Sequence, residues 1–287
     1  MSSKPILTII ETPSPHWVGD GFLVRPLFAE YAFRNEISPF LMLDYAAPVE
    51  FPPSDTPPGV GGHPHKGFET VTIVYNGEVE HRDSAGNSGK IGPGDVQWMT
   101  AGSGLLHEEF HSREASKRGG VVSMAQLWVN LPKRDKNAPP RYQTILDGTI
   151  PRVALPEGAG ELRVIAGRYG DAQGPASTFT PVDVWDIRLT KGATITLPLP
   201  EGHNAILPVL EGALRIDGKD IGPSKAVLFG RKGDCVTITA TADAQLLLLG
   251  GEPLDEPIAH YGPFVMNTQD EIRQAIDDFR RGKMGVL

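Results

Sequence analysis

The residues of this 287-residue chain best suited to chemistry are histidines: His63, His65, His81, His107 and His111, five of the eight, fall in one window. In His63-Pro64-His65 the two imidazoles are i, i+2 neighbours, and in extended backbone alternate side chains project from the same face, so both can reach one ion. His107-Glu108-Glu109 repeats the spacing with a carboxylate in second place. Two such pairs on adjacent strands would bring three imidazoles and one carboxylate to a point. That set suits a divalent first-row metal, with positions left for substrate or O₂ in octahedral geometry, as in the facial-triad iron oxygenases. Glu69 is the competing carboxylate, but Lys66-Gly67 reads as a corner, so strand parity does not carry across to it.

The remaining candidates are weaker. If Asn76-Gly77 closes a hairpin, His81 pairs with Thr72 and reads as a packed or surface histidine rather than a ligand. His111 continues the parity of positions 107 and 109 and is either close to the site or solvated beyond the strand end. His16 has no visible partner, and Cys235 reads as a packed small side chain.

These residues require strands to position them. Glycine and proline together, 33 and 26 residues, make about a fifth of the chain against an average of about 12%. They are spread along its length, as the punctuation of many short strands. This excludes a helical bundle and argues against a doubly wound α/β fold. Asn76-Gly77 between ETVTIVY and EVEHRD predicts a type I′ hairpin, and Lys191-Gly192 between WDIRLT and ATITLPL a second. One helix is predicted: Thr268 and Glu271 form a capping box, followed by Ile272, Ala275, Ile276 and Phe279 on one face, with Gly282 as its stop.

The polar, proline-rich segment 130–142 reads as a linker. A weak repeat flanks it: the turn Asn76-Gly77-Glu78-Val79 and Ile91-Gly92-Pro93 in the first half answer Glu211-Gly212-Ala213-Leu214 and Ile221-Gly222-Pro223 in the second. The expected fold is therefore all-β, two tandem antiparallel β-barrels of the jelly-roll kind plus a short C-terminal helix. The division expected is residues 1–135, carrying the metal, and 136–287, without it. Counting 16 and 18 residues on from Ile91 gives His107 and Glu109. The same count from Ile221 gives Thr237 and Thr239, so no metal site can be assembled there.

A formal net charge of -8 disfavours nucleic acid and anionic membrane surfaces. One cysteine permits neither a disulfide framework nor a cysteine-based zinc cluster. No apolar run approaches the ~20 residues of a membrane span, and the N-terminal stretch lacks the apolar region of a signal peptide. A cytoplasmic location is the expectation.

The run GGHPHKGFETVTIVYNGEVEHRDSAGNSGKIGPGDVQWMTAGSGLLHEEF, with AQLWVNLP at 125–132 and GEPLDEPIAHYGPFVMNT at 251–268, closely resembles the pirin family, a branch of the cupin superfamily. The resemblance implies a bicupin with one metal ion, most often Fe(II), in the N-terminal barrel; nickel, cobalt, manganese, copper and zinc suit the same donors. By motif the ligands fall on His63, His65, His107 and Glu109, which favours Glu109 over Glu69.

Several pirins resemble quercetin 2,3-dioxygenases, which open the central ring of a flavonol with O₂ and release carbon monoxide. In that reading a flavonol-like substrate and O₂ meet at the metal, and Glu109 doubles as a base. Phe68, Trp98, Met99 and Phe110 are candidates to line an apolar pocket. The alternative is a metal- and redox-sensing regulatory protein that binds protein partners. A monomer is expected.

Overall fold

The structure is a computed structural model describing residues 1–287, apart from the side chains of Tyr31 and Arg34. It is built almost wholly of antiparallel strands, in two units that each contain a seven-stranded and a four-stranded sheet.

In the unit that holds the histidines, the large sheet runs in the order Arg141–Ile145, Val96–Thr100, Phe68–Asn76, Gly120–Asn130, Phe40–Phe51, Phe22–Ala29, His16–Val18. The small one runs Gly59–His65, Leu105–His111, Val79–Asp83, Ser88–Ile91. The inner faces share a core of Phe22, Val24, Ala46, Val74, Val79, Ile91 and Met124. The other unit repeats the plan, with a small sheet of Thr194–Pro198, Cys235–Ala240, Leu214–Ile216 and Lys219–Ile221. The predicted repeat is visible in the ladders. Val79 pairs with Ile91 in one unit and Leu214 with Ile221 in the other, each pair entered through a left-handed glycine, Gly77 or Gly212.

The two expected hairpins are corners instead. The strands on either side of Asn76-Gly77 belong to different sheets, and so do Val182–Leu189 and Thr194–Pro198 around Lys191-Gly192. A tight turn fixes the chain reversal but not whether the second strand stays in the same sheet, and in a jelly roll it crosses to the facing one.

The division at 135/136 also differs from what forms. One unit comprises Met1–Pro13, Leu27–Leu41 and Gly148–Leu254, the other Ser14–Pro26, Met42–Asp147 and Asp255–Leu287. Strand Ile6–Ile10 pairs with Lys225–Phe229, which carries the N-terminus into the second-half unit. Segment 130–142 is not a free linker, because Arg141–Ile145 extends the first-half sheet beside Val96–Thr100. The buried Lys136 ammonium donates to the carbonyls of Gly67 and Val265, both at 2.8 Å, and to Asn130 Oδ1.

The C-terminal segment returns to the histidine-bearing unit through Val265 N to Lys66 O at 3.0 Å. It then forms the capped helix Gln269–Arg280, with both arms of the predicted box present: Glu271 N to Thr268 Oγ1 at 3.2 Å and Thr268 N to Glu271 Oε2 at 2.8 Å. Ile272 and Ala275 are buried while Phe279 stays exposed.

Candidate metal centre

Strand Leu105–His111 alternates strictly: Leu105, His107, Glu109 and His111 are buried, whereas Leu106, Glu108 and Phe110 are half-exposed. His107 faces His63 on one neighbouring strand and Asp83 on the other, and Leu105 faces His65. A bulge in Gly59–His65 puts Val60, rather than Gly61, opposite Glu109 and keeps His63 opposite His107. The ring centroids lie 4.3 Å (His63 to His107), 4.7 Å (His65 to His107) and 4.9 Å (His63 to His65) apart.

One nitrogen from each of His63, His65 and His107 lies within 4.8 Å of the other two. Glu109 falls in a second set of the same tightness with His81 and, again, His107. The four expected ligands thus appear as two overlapping triads, and the second contains His81, which strand parity places opposite Thr72. His81, expected opposite Thr72, lies opposite Glu109 and Gly89, because its strand crosses to the small sheet at Asn76-Gly77. No signal within the strand itself could have revealed this partner.

The donor atoms suit a divalent ion. Both ring nitrogens of His107 and Nδ1 of His65 are buried without any hydrogen-bond partner, each a cost of about 1–3 kcal/mol unless something else satisfies it. His63 donates from Nδ1 to the Gly61 carbonyl at 2.9 Å, which leaves the Nε2 lone pair for a ligand. Burial, reinforced by the neighbouring imidazoles, holds His65 and His107 well below the usual histidine range. They are neutral near pH 7, as metal ligation requires. The Glu109 carboxylate accepts from Gln97 Nε2 at 3.1 Å and Gln126 Nε2 at 2.9 Å.

The other candidates separate cleanly. Glu69 points to the opposite face of its strand from Thr72, accepts from Thr100 Oγ1 at 2.7 Å and lies 3.8 Å from Arg141. Burial pushes its carboxyl up to about 7. His111 is inward-facing but bonds the Gly21 carbonyl at 2.9 Å between the rings of Phe22 and Phe51, away from the other histidines. Phe68 packs against His65 with centroids 5.0 Å apart, and Met99 clusters with Leu105 and Tyr142. Trp98 and Phe110 fall on the opposite strand faces from Gln97 and Glu109, so they do not line this interior.

In the second unit the equivalent positions lie one residue earlier than the count from Ile221 gives. Leu214 pairs with Ala240 where Val79 pairs with His111. The positions equivalent to His107 and Glu109 are therefore Val236 and Ile238, both in the apolar core, while Thr237 and Thr239 face outward and bond Thr196 and Thr194. A shorter strand connection shifts the count by one. Among the described residues, no group of metal-binding side chains forms in this unit, and none of the helices is long and apolar enough to cross a membrane.

The pirin family model matches residues 21–129, and the model for the pirin C-terminal cupin domain matches residues 184–285. A Pseudomonas aeruginosa protein named "Putative quercetin 2,3-dioxygenase" is 56% identical over 280 residues, 98% of each chain. A "Pirin-like protein" of Solanum lycopersicum is 39% identical over 93% of this chain and 88% of its own. The crystal structure of a quercetin 2,3-dioxygenase from Acinetobacter baumannii superposes with a TM-score of 0.97 at 51% identity, covering 99% of both chains. With its two cupin domains and the histidine-lined interior of the first, this chain belongs to the pirin family.

Proposed function

We propose that this pirin is a metal-dependent dioxygenase of the quercetin 2,3-dioxygenase type, which opens the central ring of a flavonol with O₂ and releases carbon monoxide. The observation that carries the reading is the cluster of half-buried His63 with His65 and His107, the latter two buried, neutral and short of hydrogen bonds, beside the carboxylate of Glu109. His63, His65, His107 and Glu109 would hold one divalent ion, for which iron is the first candidate. When bound, the ion supplies Lewis acidity that lowers the pKa of a flavonol hydroxyl.

The chain's own groups supply the rest. Glu109 takes up the hydroxyl proton as base, and Gln97 and Gln126, one on each carboxylate oxygen, hold it in place. Phe68 and Met99 give the interior an apolar side for a planar aromatic substrate. Acidic net charge suits a neutral or protein partner better than a polyanion.

The test is aerobic turnover. The iron, nickel, cobalt and copper forms are each mixed with quercetin, and its absorbance and released carbon monoxide are followed. Bleaching with carbon monoxide, abolished by His107→Ala, is expected. If every metal form leaves quercetin untouched over many equivalents, the dioxygenase reading fails and a metal-sensing role with a protein partner takes its place.

A further inference from the structure

We propose that His81 is a member of the metal centre, offering its Nδ1 to the ion beside His107 and Glu109, with Asp83 as the carboxylate that orients its ring. The inference rests on the metal-binding part of the reading above and not on the dioxygenase reaction.

The first support is the tautomer. His81 Nε2 lies 3.3 Å from Asp83 Oδ2, and both side chains are fully buried. Asp83 cannot swing away, because it also accepts from the backbone N–H groups of Ala85 (2.9 Å) and Asn87 (3.0 Å) and from the Asn87 amide. A proton shared between Nε2 and the carboxylate leaves the Nδ1 lone pair for another partner, the arrangement that carboxylate–histidine–metal sites use. The polar neighbour of Nδ1 is the Gln97 amide at 3.4 Å, at the limit of a hydrogen bond. That amide is better placed toward Glu109, at 3.1 Å.

The second support is position. Glu109 and His81 are direct cross-strand partners on the inner face, and their ligand atoms lie within 4.8 Å of each other and of a His107 nitrogen. Tyr142 stacks on the His81 ring at 4.8 Å and 19°. Any side chain at Gly89 would come within 2.4 Å of the Tyr142 hydroxyl, so a bare backbone there makes room for the stack.

The third is the internal control. Carrying the Leu214 to Ala240 register forward, Ile216 and Ile238 occupy the places of His81 and Glu109, and both are core residues. The fold therefore does not need polar groups at this pair of positions. A chemical role does.

His81 would keep a second nitrogen, beside that of His107, in reach of the ion while Glu109 handles a proton. The test uses Co(II) alone, titrated into chelator-stripped protein, with binding read by equilibrium dialysis and by the visible absorption bands. Relative to the parent protein, His81→Gln is expected to weaken Co(II) binding by at least the roughly ten- to hundredfold that loss of an orienting partner costs and to alter the bands. His81→Asn, whose amide sits where Nδ1 does, should recover most of the affinity; a packing role alone would not rank the two this way. Asp83→Asn, which keeps an oxygen for the backbone N–H groups, should weaken binding without unfolding and serves as the readout if the His81 variants do not fold.

Parent affinity and spectrum in folded His81→Gln, or in Asp83→Asn where that is the readout, would overturn the proposal. Failure of the parent protein to bind Co(II) would overturn it together with the metal reading. Inactivity toward quercetin, with the Co(II) effects intact, would remove only the dioxygenase reading.

Discussion

The two units of this pirin share a strand plan and differ in what fills it. In one, the inner positions of the small sheet hold His63, His65, His81, His107 and Glu109. In the other, the same places hold Leu197, Leu199, Ile216, Val236 and Ile238, all in the apolar core. The facing sheet follows suit: Thr72, Gln97 and Gln126 in the first unit correspond to Leu207, Val227 and Leu248 in the second. A jelly roll can therefore be closed by aliphatic packing alone. The polar interior of the first unit is not a requirement of the fold, and the unpartnered ring nitrogens of His65 and His107 leave it donors that a ligand could satisfy.

The contrast can be broken in four ways. The largest effect is expected from His107→Ala, which removes the residue common to both triads. Metal affinity should fall by more than the roughly hundredfold that a merely supporting residue costs, measured by competition with a chelator. Placing a charge in the silent interior should be nearly as severe. Val236→Asp buries a carboxylate with no partner and should destabilise the fold by about 3–5 kcal/mol in denaturant titration.

Third, Glu69 corresponds to the uncharged Asn204 of the second unit, whose amide donates to the carbonyls of Asn35 and Ser38. Because burial raises the Glu69 carboxyl from 4.5 to about 7, its favourable contribution is full below about pH 4.5 and lost as pH rises toward 7. The loss amounts to about 3 kcal/mol. Glu69→Gln should flatten that part of the stability profile, and an unchanged slope would show that Glu69 is not its source. The smallest effect is a gain: His63→Leu combined with His107→Val, which copies the second unit, should stabilise the metal-free protein by on the order of 2 kcal/mol. A lower melting temperature than the metal-free parent would mean that the histidine interior is not the cost argued here.

Much of the site was legible because its grammar is local. His-x-His and His-x-Glu place both members of a pair on one strand face whatever the rest of the chain does, since the side-chain period of a strand is two. The capping box at Thr268 needs only four consecutive residues, and the turn glycines at 77 and 212 need only their own φ. Legibility ended where a residue's partner lay across a sheet. The Asn76-Gly77 turn carries no sign that its strands part company, and hairpin parity alone puts His81 opposite Thr72 where the fold puts it opposite Glu109. One residue fewer in the second unit was enough to exchange the inward Val236 and Ile238 for the outward Thr237 and Thr239. Lys136 read as part of a solvated linker until three acceptors from separated segments closed around it.

The sequence by itself determined the donor types, their spacing within each strand, the strand-rich character of the chain and the family signature that runs through residues 61–110. Only the tertiary structure decided which strands face one another. That step fixed His107 as the shared member of two triads, put His81 with Glu109, and drew the first and last segments of the chain into opposite units. The physical reason is that alternation along a strand is set by backbone geometry, whereas register between strands depends on corners, bulges and connection lengths summed over distant parts of the chain.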